Sequence, residues 1–179
     1  MGMELLSAPY LEAIYPGPGD ARRALRGLLE GVIAPTGMPW IATIDAFQHW
    51  LYTPPEHTPE DRRRKWVAIY RRFQRSVDWS GYEDVLDYLW HRQLHLFEYP
   101  FYYIEYGVAQ MGALQIWTRA MHSNAGETVA RYRQALALGG SRPLPELFEA
   151  AGARFGFGEE VMAPVAAALS DALARVPYG

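Results

Sequence analysis

The stretch Pro100-Phe-Tyr-Tyr-Ile-Glu-Tyr-Gly-Val-Ala-Gln-Met-Gly-Ala-Leu-Gln-Ile-Trp117 decides the fold class. It is the longest apolar run in the chain, yet it carries Glu105, Gln110 and Gln115. It also falls short of the roughly 20 apolar residues that a membrane span needs. It therefore reads as a buried helix, opened by Pro100, a residue suited to the first helical turn, and running to about His122.

The same period continues outward. Tyr82 to about Gln93 reads as a helix behind the turn Asp78-Trp-Ser-Gly81. Thr58-Pro-Glu-Asp61 combines an N-cap, a proline at the first helical position and an acidic residue three after the cap. It predicts a helix to about Val77 with Trp66, Ile69, Tyr70, Phe73 and Val77 inward. Trp40, Ile41, Ile44, Phe47, Trp50 and Leu51 recur at spacings of three and four between breaks at Pro35 to Pro39 and Tyr52 to Glu56. Asp20 is the expected cap of a helix bearing Ala24, Leu25, Leu28, Leu29, Val32 and Ile33. Tyr15-Pro-Gly-Pro-Gly19 separates it from a helical stub over Met3 to Ile14. Downstream, Asn124 to Leu138, Leu144 to Ala151 and Glu159 to Arg175 complete the set. No run alternates as a strand would, so the expectation is an all-α fold and one helical domain over residues 1–179.

Half of the 179 residues are hydrophobic and 14% are aromatic, enough to bury a continuous core without disulfides. Cysteine is absent, which excludes thiol nucleophiles and thiolate metal sites and fits a reducing, cytoplasmic compartment. The 17 Lys and Arg against 20 Asp and Glu leave a formal charge of -3, which offers no long-range attraction for nucleic acid or an anionic membrane. Seven basic residues, Arg62, Arg63, Arg64, Lys65, Arg71, Arg72 and Arg75, share the helix after Thr58. Acidic neighbours and the lack of a stacking platform make them a solvated face.

Chemistry is suggested between His95 and Gln110, where one histidine, four tyrosines, two glutamates and a glutamine crowd the entrance of an apolar helix. Each buried polar group there needs a partner. On a helix starting near Pro100, Tyr102, Glu105, Tyr106 and Ala109 share one side, with Tyr103 and Gly107 beside it. Gly107 and Gly112 would admit a close backbone. Two readings stand: a cleft of hydroxyls and a carboxylate, or amphipathic core tyrosines with Glu105 paired to an arginine. His91 and His95 have the spacing of a helical zinc pair, but Arg92 stands where the general base would be, and no third ligand is evident. Asp45 and His49 are also four apart, as a helix-face hydrogen bond or a carboxylate-histidine pair would require.

Met3-Glu-Leu-Leu-Ser, Trp40-Ile-Ala-Thr-Ile-Asp-Ala-Phe-Gln-His-Trp-Leu-Tyr52, Val77-Asp-Trp-Ser-Gly81 and the Pro100 to Trp117 block resemble the C-terminal part of oligoendopeptidase F. That type belongs to the thimet-oligopeptidase-like family of zinc metallopeptidases. The resemblance implies the multi-helix C-terminal part of a zincin-type catalytic domain, whose family hydrolyses short peptides in a deep channel. Family members hold zinc with a His-Glu-x-x-His helix and a downstream glutamate; this sequence contains neither, so no metal is expected on the chain alone. By the resemblance the ligands lie upstream of Met1, and Glu4 matches an acidic residue about two helical turns past the ligand, a group that supports it indirectly.

The resemblance carries over the substrate side: His95, Tyr103 and Tyr106 match the catalytic histidine and tyrosines that stabilise the oxyanion, and Tyr99 and Tyr102 match substrate-binding positions. It implies short peptides as ligands and a separate N-terminal part carrying zinc as a partner. The alternative is a peptide-binding or interaction module without catalysis. A half-domain would also expose apolar surface around Leu5, Leu6, Tyr10 and parts of the Trp40 to Tyr52 helix, which a two-fold homodimer would hide.

Overall fold

The computed structural model describes residues 2–53 and 56–176, and among these the regular elements are all helical. In chain order they are α1 (Gly2–Leu6), α2 (Leu11–Ile14), α3 (Pro18–Ile33), α4 (Met38–Tyr52), α5 (Pro59–Phe73), α6 (Glu83–Tyr88), α7 (His95–Glu98), α8 (Ile104–His122), α9 (Ala125–Ala137), α10 (Leu144–Ala151) and α11 (Glu159–Arg175). Single 3-10 turns cover Ala8–Tyr10 and Leu89–Arg92. The chain forms two compact units, one from Met1–Gly31 with Val108–Gly179 and a second from Val32–Gly107.

The second unit is built on aromatic side chains. Ile44 and Phe47 of α4 meet Trp66 and Tyr70 of α5, with Leu86, Trp90 and Leu96 closing the cluster. Trp66 is fully buried and its indole N–H donates to the Leu86 carbonyl at 2.8 Å, so α5 is bonded as well as packed to α6. Five of the six tryptophans, Trp40, Trp50, Trp66, Trp79 and Trp90, lie in this unit.

The start of α5 is the predicted capping box. The Thr58 hydroxyl accepts from the Asp61 N–H at 3.1 Å, while the Asp61 carboxylate accepts from the Thr58 N–H at 3.0 Å and hydroxyl at 2.7 Å. The Thr58 hydroxyl, then its N–H and the Arg64 guanidinium, hold the Asp61 carboxyl at about 2, below its ordinary 3.8. A depressed carboxyl contributes stability that is present above its unfolded pKa and lost as pH falls through the folded one. Thermal unfolding is therefore expected to show an acid-side loss between pH 3.8 and about 2. Asp61→Asn should flatten that part of the profile, and an unchanged profile would refute the assignment.

Several boundaries differ from expectation. Helix α5 ends at Phe73 rather than near Val77, because Gln74 turns away and its buried amide donates to the Pro35 carbonyl at 2.7 Å. The helix after Gly17 starts at Pro18, so Asp20 lies inside the first turn, pairing with Arg23, and is not the cap. The helix expected to Gln93 tightens into a 3-10 turn at Leu89. The break expected over Tyr52 to Glu56 falls partly outside the described residues, at 54 and 55.

In the first unit α9 and α10 pair, with Ile116, Ala135 and Ala151 buried between neighbours. Gly152, at φ 83°, takes the left-handed conformation that ends α10, and the Ala153 N–H donates to the Phe148 carbonyl at 2.8 Å. Arg131 of α9 donates to the carbonyls of Glu149 and Ala150 at the same end. The polar Gln115 in α8 is explained by a two-way clamp on Arg154: its amide donates to the Arg154 carbonyl and accepts from the Arg154 N–H, both at 2.9 Å. At Gly112 the close neighbour is the Phe148 ring, not the backbone expected; a Cβ there would lie 2.8 Å from the ring edge.

The apolar face expected at the N-terminal stub and α4 is partly inside the fold. Leu5 is 1% exposed, and Ile44 and Phe47 are fully buried, so none of the three is available to a dimer. Leu6 and Tyr10 instead border a groove of about 560 Å³ in the first unit, together with Leu25, Trp117, Met121 and Val129.

Candidate functional site

Of the polar cluster predicted between His95 and Gln110, His95 and the four tyrosines gather in the second unit, but not on one helix. Helix α7 carries His95, an irregular turn carries Tyr99 to Tyr103, and α8 begins only at Ile104. Pro100 therefore lies in a turn and does not open the helix. The turn is reversed by Phe101, whose φ of 61° is the one positive value outside glycine among the described residues. Its N–H donates at 3.0 Å to Oε1 of Gln48, a fully buried residue of α4. The Phe101 ring packs on His49 and Tyr52, and the Tyr52 hydroxyl donates to the Leu96 carbonyl at 3.2 Å. Residues of α4 thus fix the turn that carries the tyrosines.

All four tyrosines surround the His95 ring. Tyr103 lies at 5.0 Å between ring centroids, Tyr106 at 5.8 Å, and Tyr99 and Tyr102 at 6.1 Å, with Tyr102 stacked at 12°. The Tyr106 hydroxyl and His95 Nε2 are 3.4 Å apart, and the Gln93 amide nitrogen lies 2.7 Å from His95 Nδ1. The Trp40 indole N–H donates to Gln93 Oε1 at 3.0 Å. Tyr99, Tyr102 and Tyr106 are exposed, whereas Tyr103 is half-buried. Burial raises the Tyr103 phenol above its ordinary pKa, partly offset by the Trp40 indole, so it remains an O–H donor at neutral pH. The arrangement is a rim of phenolic donors around an imidazole, suited to binding carbonyl oxygens.

Comparison with known proteins places these residues in a family. The family model for Peptidase family M3 matches residues 3–165. The chain belongs to peptidase family M3. A solved structure described as PZ peptidase A with inhibitor 2 shares the fold at a TM-score of 0.83 and 29% identity, covering 97% of this chain. The chain spans 30% of that protein's length. Among curated proteins none matches.

The other candidate residues fare differently. His91 and His95 are not a helical pair, because His91 lies in a 3-10 turn that ends at Arg92 and Gln93 is extended between them; His91 packs on Trp90 and Tyr88. Asp45 and His49 are 3.7 Å apart on α4, with the Asp45 carboxyl raised by burial and only partly lowered by His49. Glu105 is exposed and makes no ion pair among the described residues. Glu4 lies exposed on α1, and its carbonyl accepts from Ser7. The basic face of α5 is tied down: Arg63 bonds Glu60 and Asp87, Arg64 bonds Asp61, and Arg62 donates to His57 Nδ1. Gln93 and Gln48 hold the cluster from behind; Gln93 carried no periodic or motif signal, and Gln48, though inside the Trp40 to Tyr52 block of the resemblance, was not singled out by it.

Proposed function

We propose that this chain supplies the substrate side of a zinc oligoendopeptidase of the oligoendopeptidase F type, acting on short peptides. The observation that carries it is the ring of Tyr99, Tyr102, Tyr103 and Tyr106 around His95. An extended peptide offers rows of carbonyl oxygens, and phenolic hydrogens held in place around the imidazole are complementary to them. Tyr103 and Tyr106, the latter backed by His95, are assigned to the carbonyl oxygen on which negative charge develops. Donors aimed at that charge gain strength as it forms, whereas Tyr99 and Tyr102 hold the bound peptide throughout. PZ peptidase A, a structural neighbour, was solved with an inhibitor.

Peptidases of family M3 are zinc enzymes. Among the described residues no three His, Cys, Asp or Glu side chains gather as a metal site. The described residues thus offer no fit to zinc, and in this reading a separate N-terminal part bearing His-Glu-x-x-His would hold it. Among the described residues no helix is long and apolar enough to cross a membrane.

The test is an NMR titration of the isolated chain with a short unstructured peptide, alongside elemental analysis. Peptide-induced shifts are expected at residues 95–106, weakened in His95→Ala, with no stoichiometric zinc and no cleavage. Absence of shifts there at millimolar peptide would overturn the substrate assignment. Stoichiometric zinc, lost when His91 and His95 are both replaced, would overturn the division of labour.

A further inference from the structure

We propose that Gln93 is a positioning residue that fixes the tautomer of His95, and through it the direction in which the Tyr106 hydroxyl donates. The functional meaning rests on the peptide-binding reading above; the tautomer itself does not. Indole N–H only donates, so the 3.0 Å contact from Trp40 requires the oxygen of the Gln93 amide to face it. The other end of the same amide is then NH₂, and this is what lies 2.7 Å from His95 Nδ1. An amide nitrogen does not accept hydrogen bonds, so Nδ1 must be the acceptor. The neutral imidazole therefore carries its hydrogen on Nε2.

That hydrogen points toward the Tyr106 oxygen, 3.4 Å away. With its oxygen accepting from His95, the Tyr106 hydroxyl keeps its own hydrogen for a partner outside, and the ring is 46% exposed. The series Trp40, Gln93, His95, Tyr106 thus donates in one direction, from the core of the unit to its surface. Aligned donors polarise one another, so the last hydroxyl gains strength as a donor. Gln93 is held for this role: its own N–H donates to the Trp90 carbonyl at 3.0 Å, and Arg92 lies over the Trp40 ring.

A glutamate in place of Gln93 would reverse the far half of the series. A carboxylate only accepts, so it would take the Trp40 hydrogen on one oxygen and draw a hydrogen onto His95 Nδ1 with the other. His95 Nε2 would then accept from Tyr106, whose hydroxyl would turn inward.

The experiment is long-range ¹H–¹⁵N NMR of the His95 ring at a pH where the imidazole is neutral, on the unaltered chain and on Gln93→Glu. The expected result is a protonated Nε2 in the unaltered chain and a protonated Nδ1 in the variant. Peptide affinity should fall about tenfold in the variant, the loss of roughly one hydrogen bond. A protonated Nδ1 in the unaltered chain would overturn the proposal without recourse to any variant. An unchanged tautomer in a folded Gln93→Glu would do the same. A reversed tautomer with unchanged peptide affinity would retain Gln93 as the positioning residue and remove Tyr106 from peptide binding.

Discussion

Trp66→Ala is expected to cost about 3–5 kcal/mol and to leave the second unit largely unfolded. The ring is fully buried, with Phe47 at 5.2 Å, Tyr70 at 5.7 Å and Trp40 at 5.9 Å between centroids, so truncation opens a cavity lined by three aromatic side chains that cannot all collapse into it. The loss is not only one of packing. The indole N–H also donates to the Leu86 carbonyl, which would keep only its bond from the Leu89 N–H. Trp66→Phe separates the two terms, since it refills most of the volume and loses only the indole bond to Leu86, and about 0.5–1.5 kcal/mol is expected from it. Urea unfolding followed by circular dichroism measures both. A cost below about 1 kcal/mol for the alanine variant would mean that the aromatic cluster does not hold α4, α5 and α6 together.

Tyr103→Phe is expected to lower kcat about 10²–10³-fold, with KM little moved, once the chain is assayed together with a zinc-bearing N-terminal part of an M3 peptidase. Tyr103 is singled out because it is the half-buried member of the ring around His95, with its phenol pKa raised by burial. A donor with restricted solvation is worth more to a developing charge than one competing with water. The exposed Tyr99 and Tyr102 should instead act mainly on KM when changed to phenylalanine. A Tyr103→Phe variant within tenfold of the unaltered kcat would remove it from the reacting oxygen.

Much of the helical plan was legible because its signals are local. Thr58 and Asp61 form the expected capping box, Asn124 caps α9 through the Glu127 N–H, and the bounds of α10 and α11 follow periodicity and flanking glycines. Pro100 misled for a physical reason. A proline before an apolar run has the local signature of a helix start, but the conformation of Phe101 is set by Gln48, 53 residues away. That contact delays α8 to Ile104 and places Tyr102 and Tyr103 on a turn. The cluster still forms, because the tyrosines approach His95 from the turn and from α8 together. The apparent zinc pair fails similarly: the spacing of His91 and His95 means one face only if the helix continues, and it does not continue through Gln93. The roles of the tyrosines came from family resemblance, since spacing alone favoured the core reading.

The distribution of tryptophans determines how this protein can be observed in solution. With five of six indoles in the second unit, its emission spectrum is almost a property of that unit. Trp117, 4% exposed in the first unit, contributes one voice among six. A red shift of fluorescence in urea would thus trace loosening around Trp66 while remaining nearly blind to α9, α10 and α11. Agreement between fluorescence and circular dichroism melts would therefore be a direct measure of whether the two units unfold as one cooperative body.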